Sequence, residues 1–268
     1  MDSKGIGTVY RGKLAAVILA SKGVITPNAA ATTLEVPQQE AARILSRCCA
    51  QGWLKRVKRG VYIPIATENI TGDTSIEEPW ILADHLYAPG YLAGFSAIKY
   101  WDLSEQIFET TTFFTTTKIQ NCNSLIGRTR FRLKHIPHHK LFGTKVVWNN
   151  NVKLLVSDAT KTMVDLFDNP QIVGGMRIVK DIFTEYHASK FFDLDKLIEY
   201  SNRMNNKTIF KRIGFLMEIM GLEDLVEGCG LKNRISKGYS VFDTGLKNTK
   251  CVSRWNLKVP EVWVTKND

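Results

Sequence analysis

No run in these 268 residues approaches the roughly 20 consecutive apolar positions that cross a bilayer. The N-terminus lacks the ordered basic, apolar and small-residue regions of a secretory signal, so a cytoplasmic protein is expected. Cysteine is sparse and unpatterned: Cys48, Cys49, Cys122, Cys229 and Cys251 are odd in number and scattered, which excludes a disulfide framework and predicts reduced thiols. No Cys-x-x-Cys or His-x-x-x-His pair is present, and His138-His139 are neighbours that point apart in an extended segment, so neither a metal nor another cofactor is expected. A glycine-rich phosphate loop and a Gly-x-Ser-x-Gly elbow are also missing, which removes the common nucleotide and hydrolase sites and argues against an enzyme. Acid is the scarcer charge, with 26 Asp and Glu against 36 Lys and Arg, for a net charge of +10.

That surplus favours a polyanionic partner, because a basic surface attracts phosphates and speeds encounter. The length exceeds one ordinary domain, so two are expected, and a 44% hydrophobic content supports full cores.

Leu14, Val17 and Ile18 recur at helical spacing over Lys13 to Ser21, with Gly23 placed to end that helix. Thr26-Pro27 supplies an N-cap and a first-turn proline for a short second helix to about Leu34. Pro37 opens a third, to about Gln51, where Ala41, Ile44, Leu45 and Cys48 share one face and Gln39, Arg43, Ser46 and Arg47 the other. Glutamine can pair bidentately with adenine, and arginine with guanine or phosphate. The segment Trp53 to Pro64 follows as a β-hairpin with Lys58-Arg59-Gly60 at its tip; Trp53, Leu54, Val57, Val61 and Ile63 are expected to pack on the helices and Lys55, Lys58 and Arg59 to line the rim. Three helices and a basic hairpin define a winged helix. Residues 1–66 net +7, which leaves +3 for the other two hundred residues.

A polar stretch, residues 67–78, reads as a linker. Beyond it, helices are expected near Trp80 to Leu86 and Phe95 to Trp101, with a turn at Pro89-Gly90. Strands follow at Thr110–Thr117, Arg128–Ile136, Lys145–Trp148 and Val152–Val156. Helices then dominate at Asp158–Phe167, Met176–His187, Leu194–Arg203 and Lys207–Met220, with strand hints at Tyr239–Phe242 and Val262–Val264 in a tail of no assigned role. Gly94 and Gly174-Gly175 read as tight turns.

One cluster has a catalytic look: Ser157-Asp158-Ala159-Thr160-Lys161-Thr162 with Asp165 and Asp168 could hold a metal at a nuclease site. The structural reading fits better, with Ser157 or Asp158 capping a helix and Lys161–Asp165 forming a surface pair.

Five stretches carry a family likeness: Lys58-Arg59-Gly60-Val61-Tyr62-Ile63-Pro64, Pro89 to Ile98, Leu103-Ser104-Glu105-Gln106, Val156 to Leu166, and Arg212-Ile213-Gly214-Phe215-Leu216. In this order they resemble the AbiEi antitoxins of type IV toxin–antitoxin (abortive infection) systems, over roughly residues 10 to 220. The resemblance implies a winged helix that represses its own operon at inverted repeats. It also implies a C-terminal domain that opposes a nucleotidyltransferase-type toxin without a stable complex. Thr160 departs from the family pattern, which has Glu there.

The expected fold is therefore α+β: a winged helix-turn-helix over residues 1–66, a linker over 67–78, and a larger mixed α+β antitoxin domain over 79–268, separable from the first. The expected partner is double-stranded operator DNA, with a possible dimer on it, held by Gln38, Gln39, Arg43, Arg47, Lys55, Lys58 and Arg59. A metal-dependent nuclease that docks through the winged helix and a free-standing transcriptional regulator are the alternatives.

Overall fold

The capping signals place the first helices. In a computed structural model that describes residues 8–65, 76 and 78–264, α1 spans Thr8–Ala20, α2 Pro27–Leu34 and α3 Gln38–Ala50. Thr26 caps α2 by accepting the Ala29 N–H at 3.2 Å, and Glu35, at φ 54°, ends it. The hairpin follows as β1, Leu54–Lys58, and β2, Val61–Pro64. The sequence gives no sign of a third member: Ile25, between α1 and α2, exchanges backbone hydrogen bonds with Tyr62 at 2.8 and 2.9 Å. Most of the linker, residues 67–78, lies outside the described residues; Ile76 and Glu78 are the two within them.

The hairpin's two faces serve different cores. Leu54 and Tyr62 pack with Leu14, Val17, Ile44 and Leu45 among the three helices. Val61 and Ile63, with Val57, pack instead against Ile81, Leu92, Phe113 and Phe131 of the second domain. The expectation that Val57, Val61 and Ile63 rest on the helices is thus corrected. The cause is the two-residue period of a strand, which sends Tyr62 to one side and its neighbours to the other. One further tie crosses the boundary, Lys22 Nζ donating to the Asn151 carbonyl at 2.6 Å, and Glu78 at the end of the linker accepts from Asn149 at 2.8 Å and from Asn150.

The second domain begins with α4, Pro79–Tyr87, then β3, Gly90–Leu92, and α5, Gly94–Trp101. Its strands continue as β4, Thr111–Thr115; β5, Asn123–Ile126; β6, Thr129–His135; β7, Thr144–Asn149; and β8, Val152–Ser157. The helices are α6, Ala159–Asp168; α7, Met176–Ala188; α8, Leu194–Arg203; α9, Thr208–Ile219; and α10, Glu223–Gly228. A small sheet of β9, Ser240–Val241, β10, Lys250–Val252, and β11, Leu257–Val259, closes the described chain. The main sheet is mixed, in the order β5-β6-β4-β3-β8-β7. Alternate residues of its central strands face opposite ways: Leu92 and Phe113 point to α4 and the hairpin, Tyr91 and Phe114 to α6 and its neighbours.

Gly90, expected in a turn, lies inside β3, where a Cβ would stand 2.1 Å from the Phe114 carbonyl oxygen. Gly94, at φ 47°, and Gly175, at φ 116°, do serve tight backbone, the latter against the Asp243 carboxylate. The tail belongs to the main core, since Trp255 is fully buried against Gly214 of α9. Arg212 secures it, donating to the carbonyls of Phe242 (2.9 Å), Phe167 (2.7 Å) and Val241 (2.9 Å). Val262, expected extended, sits in a short 3₁₀ turn, Glu261–Trp263.

Candidate nucleic-acid interface

α3 presents the face that its sequence spacing predicts. Ala41, Ile44, Leu45 and Cys48 are buried, while Gln38, Gln39, Arg43, Ser46 and Arg47 are exposed. The turn from α2 to α3 is three residues, Glu35 to Pro37, so the two helices form a tight helix-turn-helix. Arg47 differs from its neighbours. Its guanidinium donates to the Tyr10 hydroxyl of α1 and lies over the Tyr10 ring, 5.0 Å from the centroid. Among the described residues Arg43 carries no such tether, and it stands one turn nearer the start of the helix.

The hairpin tip lies beside the start of α2, since a Cβ built on Gly60 would come within 3.9 Å of Pro27. Gly60 takes φ 74°, the left-handed conformation that lets the chain reverse there. Lys58 and Arg59 are exposed at this tip. Lys55 is not: it pairs across the ladder with Ile63, is half-buried, and lies at the base of the hairpin on the side of the second domain. Arg56, opposite Tyr62 and exposed, takes the outward position that the sequence reading gave to Lys55. The ladder register accounts for this, because Lys55 pairs with Ile63 on the face toward the second domain and Arg56 pairs with Tyr62 on the opposite face. The register shifts between Arg56 and Lys58, so Val57 bulges.

Burial raises the thiol pKa of Cys48, as does the neighbouring Cys49, while Arg47 opposes this. Burial likewise raises Cys49, opposed by Arg56. Both are free thiols near the end of α3, and the upward shifts keep them protonated.

The second candidate cluster folds inward. Asp158 caps α6 by accepting the Lys161 N–H at 2.8 Å, and its other oxygen accepts from Tyr200 Oη at 3.1 Å and Lys196 Nζ at 2.9 Å. Asp168 takes Lys134 and Lys140, each at 3.1 Å, and Asn206 at 2.9 Å. Lys161 and Asp165 form an ion pair, but a buried one, which corrects the expected surface pair. Every residue of α6 before Asp168 is buried between the sheet and α7–α9, so no face of the helix reaches water. Thr160 joins the same packing through Tyr186 Oη at 2.9 Å. The carboxylate oxygens of this cluster are thus engaged by the chain's own lysines, hydroxyls and amides.

Comparison with known proteins bears on both halves. Residues 13–65, which contain α2, α3 and the hairpin, match the model of a family described as transcriptional regulator, AbiEi antitoxin. No curated protein matches the chain. A crystal structure of the RV2827C protein from Mycobacterium tuberculosis shares the fold, with a TM-score of 0.61 at 14% identity over 95% of this chain and 92% of that one. No helix among the described residues is long and apolar enough to cross a membrane.

Proposed function

With an antitoxin-regulator segment at its head, we propose that this chain is a DNA-binding transcriptional repressor and antitoxin that acts in the cytoplasm and is not an enzyme. Its winged helix binds inverted repeats in its own operator, and its second domain opposes a nucleotidyltransferase-type toxin without forming a stable complex with it. One observation carries the reading: the matched segment bears both an exposed row of Gln38, Gln39 and Arg43 on α3 and an exposed wing tip with Lys58 and Arg59. One small unit thus carries side chains able to pair with base edges and cations able to hold phosphates. The metal-dependent nuclease alternative loses support from the occupancy of Asp158, Asp165 and Asp168 by internal partners.

The test is selection of duplexes from a random pool by the full-length protein, repeated with Arg43→Ala and Lys58→Ala. Arg43→Ala should relax one position of the selected site and cost about 1–3 kcal/mol there. Lys58→Ala should weaken all sequences alike and flatten the salt dependence by about one unit. A pool that yields no preferred sequence defeats the reading. For the antitoxin half, a nucleotidyltransferase-type toxin from the same operon is sought and expressed from an unrelated promoter, and the full-length Arg43→Ala/Lys58→Ala variant should still relieve its growth arrest. Rescue by neither protein would reduce the antitoxin role to repression of transcription, and rescue by wild type alone would make the winged helix part of the neutralising surface.

A further inference from the structure

Between the wing and the second domain lies a cleft of about 680 Å³, with Val57 and Lys58 on one wall and Tyr87, Lys118, Ile119 and Ser124 on the other. We propose that Lys58 and Lys118 form a joint phosphate clamp there, so that duplex DNA is gripped by the second domain as well as by the winged helix. This rests on the DNA-binding reading above and extends its footprint to a residue outside the winged helix.

Three observations converge on it. First, the charge of the second domain is segregated: residues 110 to 157 contain eight Lys and Arg and no Asp or Glu, whereas residues 79–268 as a whole mix 26 Lys and Arg with 19 Asp and Glu. Among these, Arg132 is engaged internally on the Ile172 carbonyl and Lys134 and Lys140 on Asp168. Lys118 is not; it is exposed, and among the described residues neither it nor Lys58 enters an ion pair. Second, among the described residues no carboxylate lines the cleft, so the two cations reinforce one another's attraction for an anion. Third, the two lysines are held in register by their neighbours. Val57, which precedes Lys58, and Ile119, which follows Lys118, pack against the same apolar cluster. On the other side of Lys118, the Thr117 N–H donates to Thr115 Oγ1 at 3.0 Å, and the Thr117 carbonyl meets His135 Nδ1 at 3.0 Å. The backbone under both cations is therefore fixed before DNA arrives, and ordering them loses only side-chain freedom. Duplex DNA is the partner that fits, because the cleft opens beside the wing tip, where a phosphate strand held by Lys58 and Arg59 must pass.

The experiment is a salt titration of full-length protein on a 30-bp mixed-sequence duplex, read by fluorescence anisotropy. Lys118→Ala should lower the slope of log affinity against log salt by about one and weaken binding about threefold to tenfold at 100 mM salt. Lys118→Arg should restore the wild-type slope, and Lys232→Ala, an exposed lysine on the turn after α10, should leave it unchanged. Circular dichroism confirms that each variant is folded. If wild type binds, Lys58→Ala weakens it and folded Lys118→Ala keeps the wild-type slope, the clamp is overturned while DNA binding stands. If wild type shows no salt-dependent binding, the functional reading itself has failed.

Discussion

Lys161 and Asp165 lie one turn apart on α6 and form an ion pair from which water is excluded, their side chains 0% and 2% exposed. Tyr91 of β3 closes the triangle: Lys161 Nζ donates to its hydroxyl at 2.8 Å, and that hydroxyl donates to Asp165 Oδ2 at 2.9 Å. Burial pushes Lys161 down and Asp165 up from their ordinary pKa values, and each charge opposes the shift of the other. Removing one member strands its partner in an apolar core. Lys161→Met should therefore lose about 3–5 kcal/mol, and Lys161→Met/Asp165→Leu should recover much of that in urea unfolding. A single variant as stable as wild type would show the pair to be idle.

Asp168 has the opposite bias. Burial pushes its pKa up, but the charge of Lys134, the Asn206 hydrogen bond and Lys140 outweigh it and hold the carboxyl at about 2. A folded pKa below the unfolded value contributes stability that is complete above pH ~4 and lost as pH falls towards 2. Asp168→Asn should lose about 2 kcal/mol at pH 7, almost nothing at pH 2, and flatten the stability curve between. Parallel curves for the two proteins from pH 4 to 2 would contradict this.

Gly214 is the floor under Trp255. A Cβ there would sit 2.1 Å from two carbons of the indole ring, which is itself held by Glu218. Gly214→Ala should destabilise the fold by about 1–3 kcal/mol or more, as overpacking does, despite the better helix propensity of alanine. Thermal unfolding that shows a rise in Tm would refute the contact.

Arg47 is pinned by Tyr10, and on the proposed function such an arginine holds phosphate rather than reads bases. Arg47→Ala should weaken all duplexes alike, and Tyr10→Ala should do so more mildly. A change in the selected sequence at one position would reassign Arg47 as a base reader.

Much of this was legible in the sequence, for reasons that particular residues display. Helix α3 has a polar-apolar period that burial enforces, and Thr26-Pro27 is a local cap, so both could be read from a short window. Strand β3 is three residues long and buried on both faces, which leaves no alternation to detect. Lys161–Asp165 has the spacing of a surface pair; only the packing of α7–α9 over α6 makes it internal. For Lys55, the misplacement came from counting charge along β1 without its register. Trp255 gives no local sign that its partner is a glycine forty-one residues earlier.

Truncation tests the shared hairpin. A fragment from about residue 75 loses Val61 and Ile63, 8% and 1% exposed, from the cover of the main sheet. Such a fragment should bind a hydrophobic dye and unfold at a lower temperature than the full chain. A fragment with the Tm of the full chain and no dye binding would make the second domain independent of the wing.

The alternation in β2 also decides where this protein can change length. Inserting or deleting one residue between Val61 and Ile63 would turn Tyr62 toward the sheet and its neighbours toward the helices, spoiling two cores at a stroke. At Lys58-Arg59-Gly60 an insertion only lengthens the loop. Variation in the length of the wing is thus confined to its tip, and a library that inserts residues between Arg59 and Gly60 can change the reach of the hairpin while leaving both cores untouched.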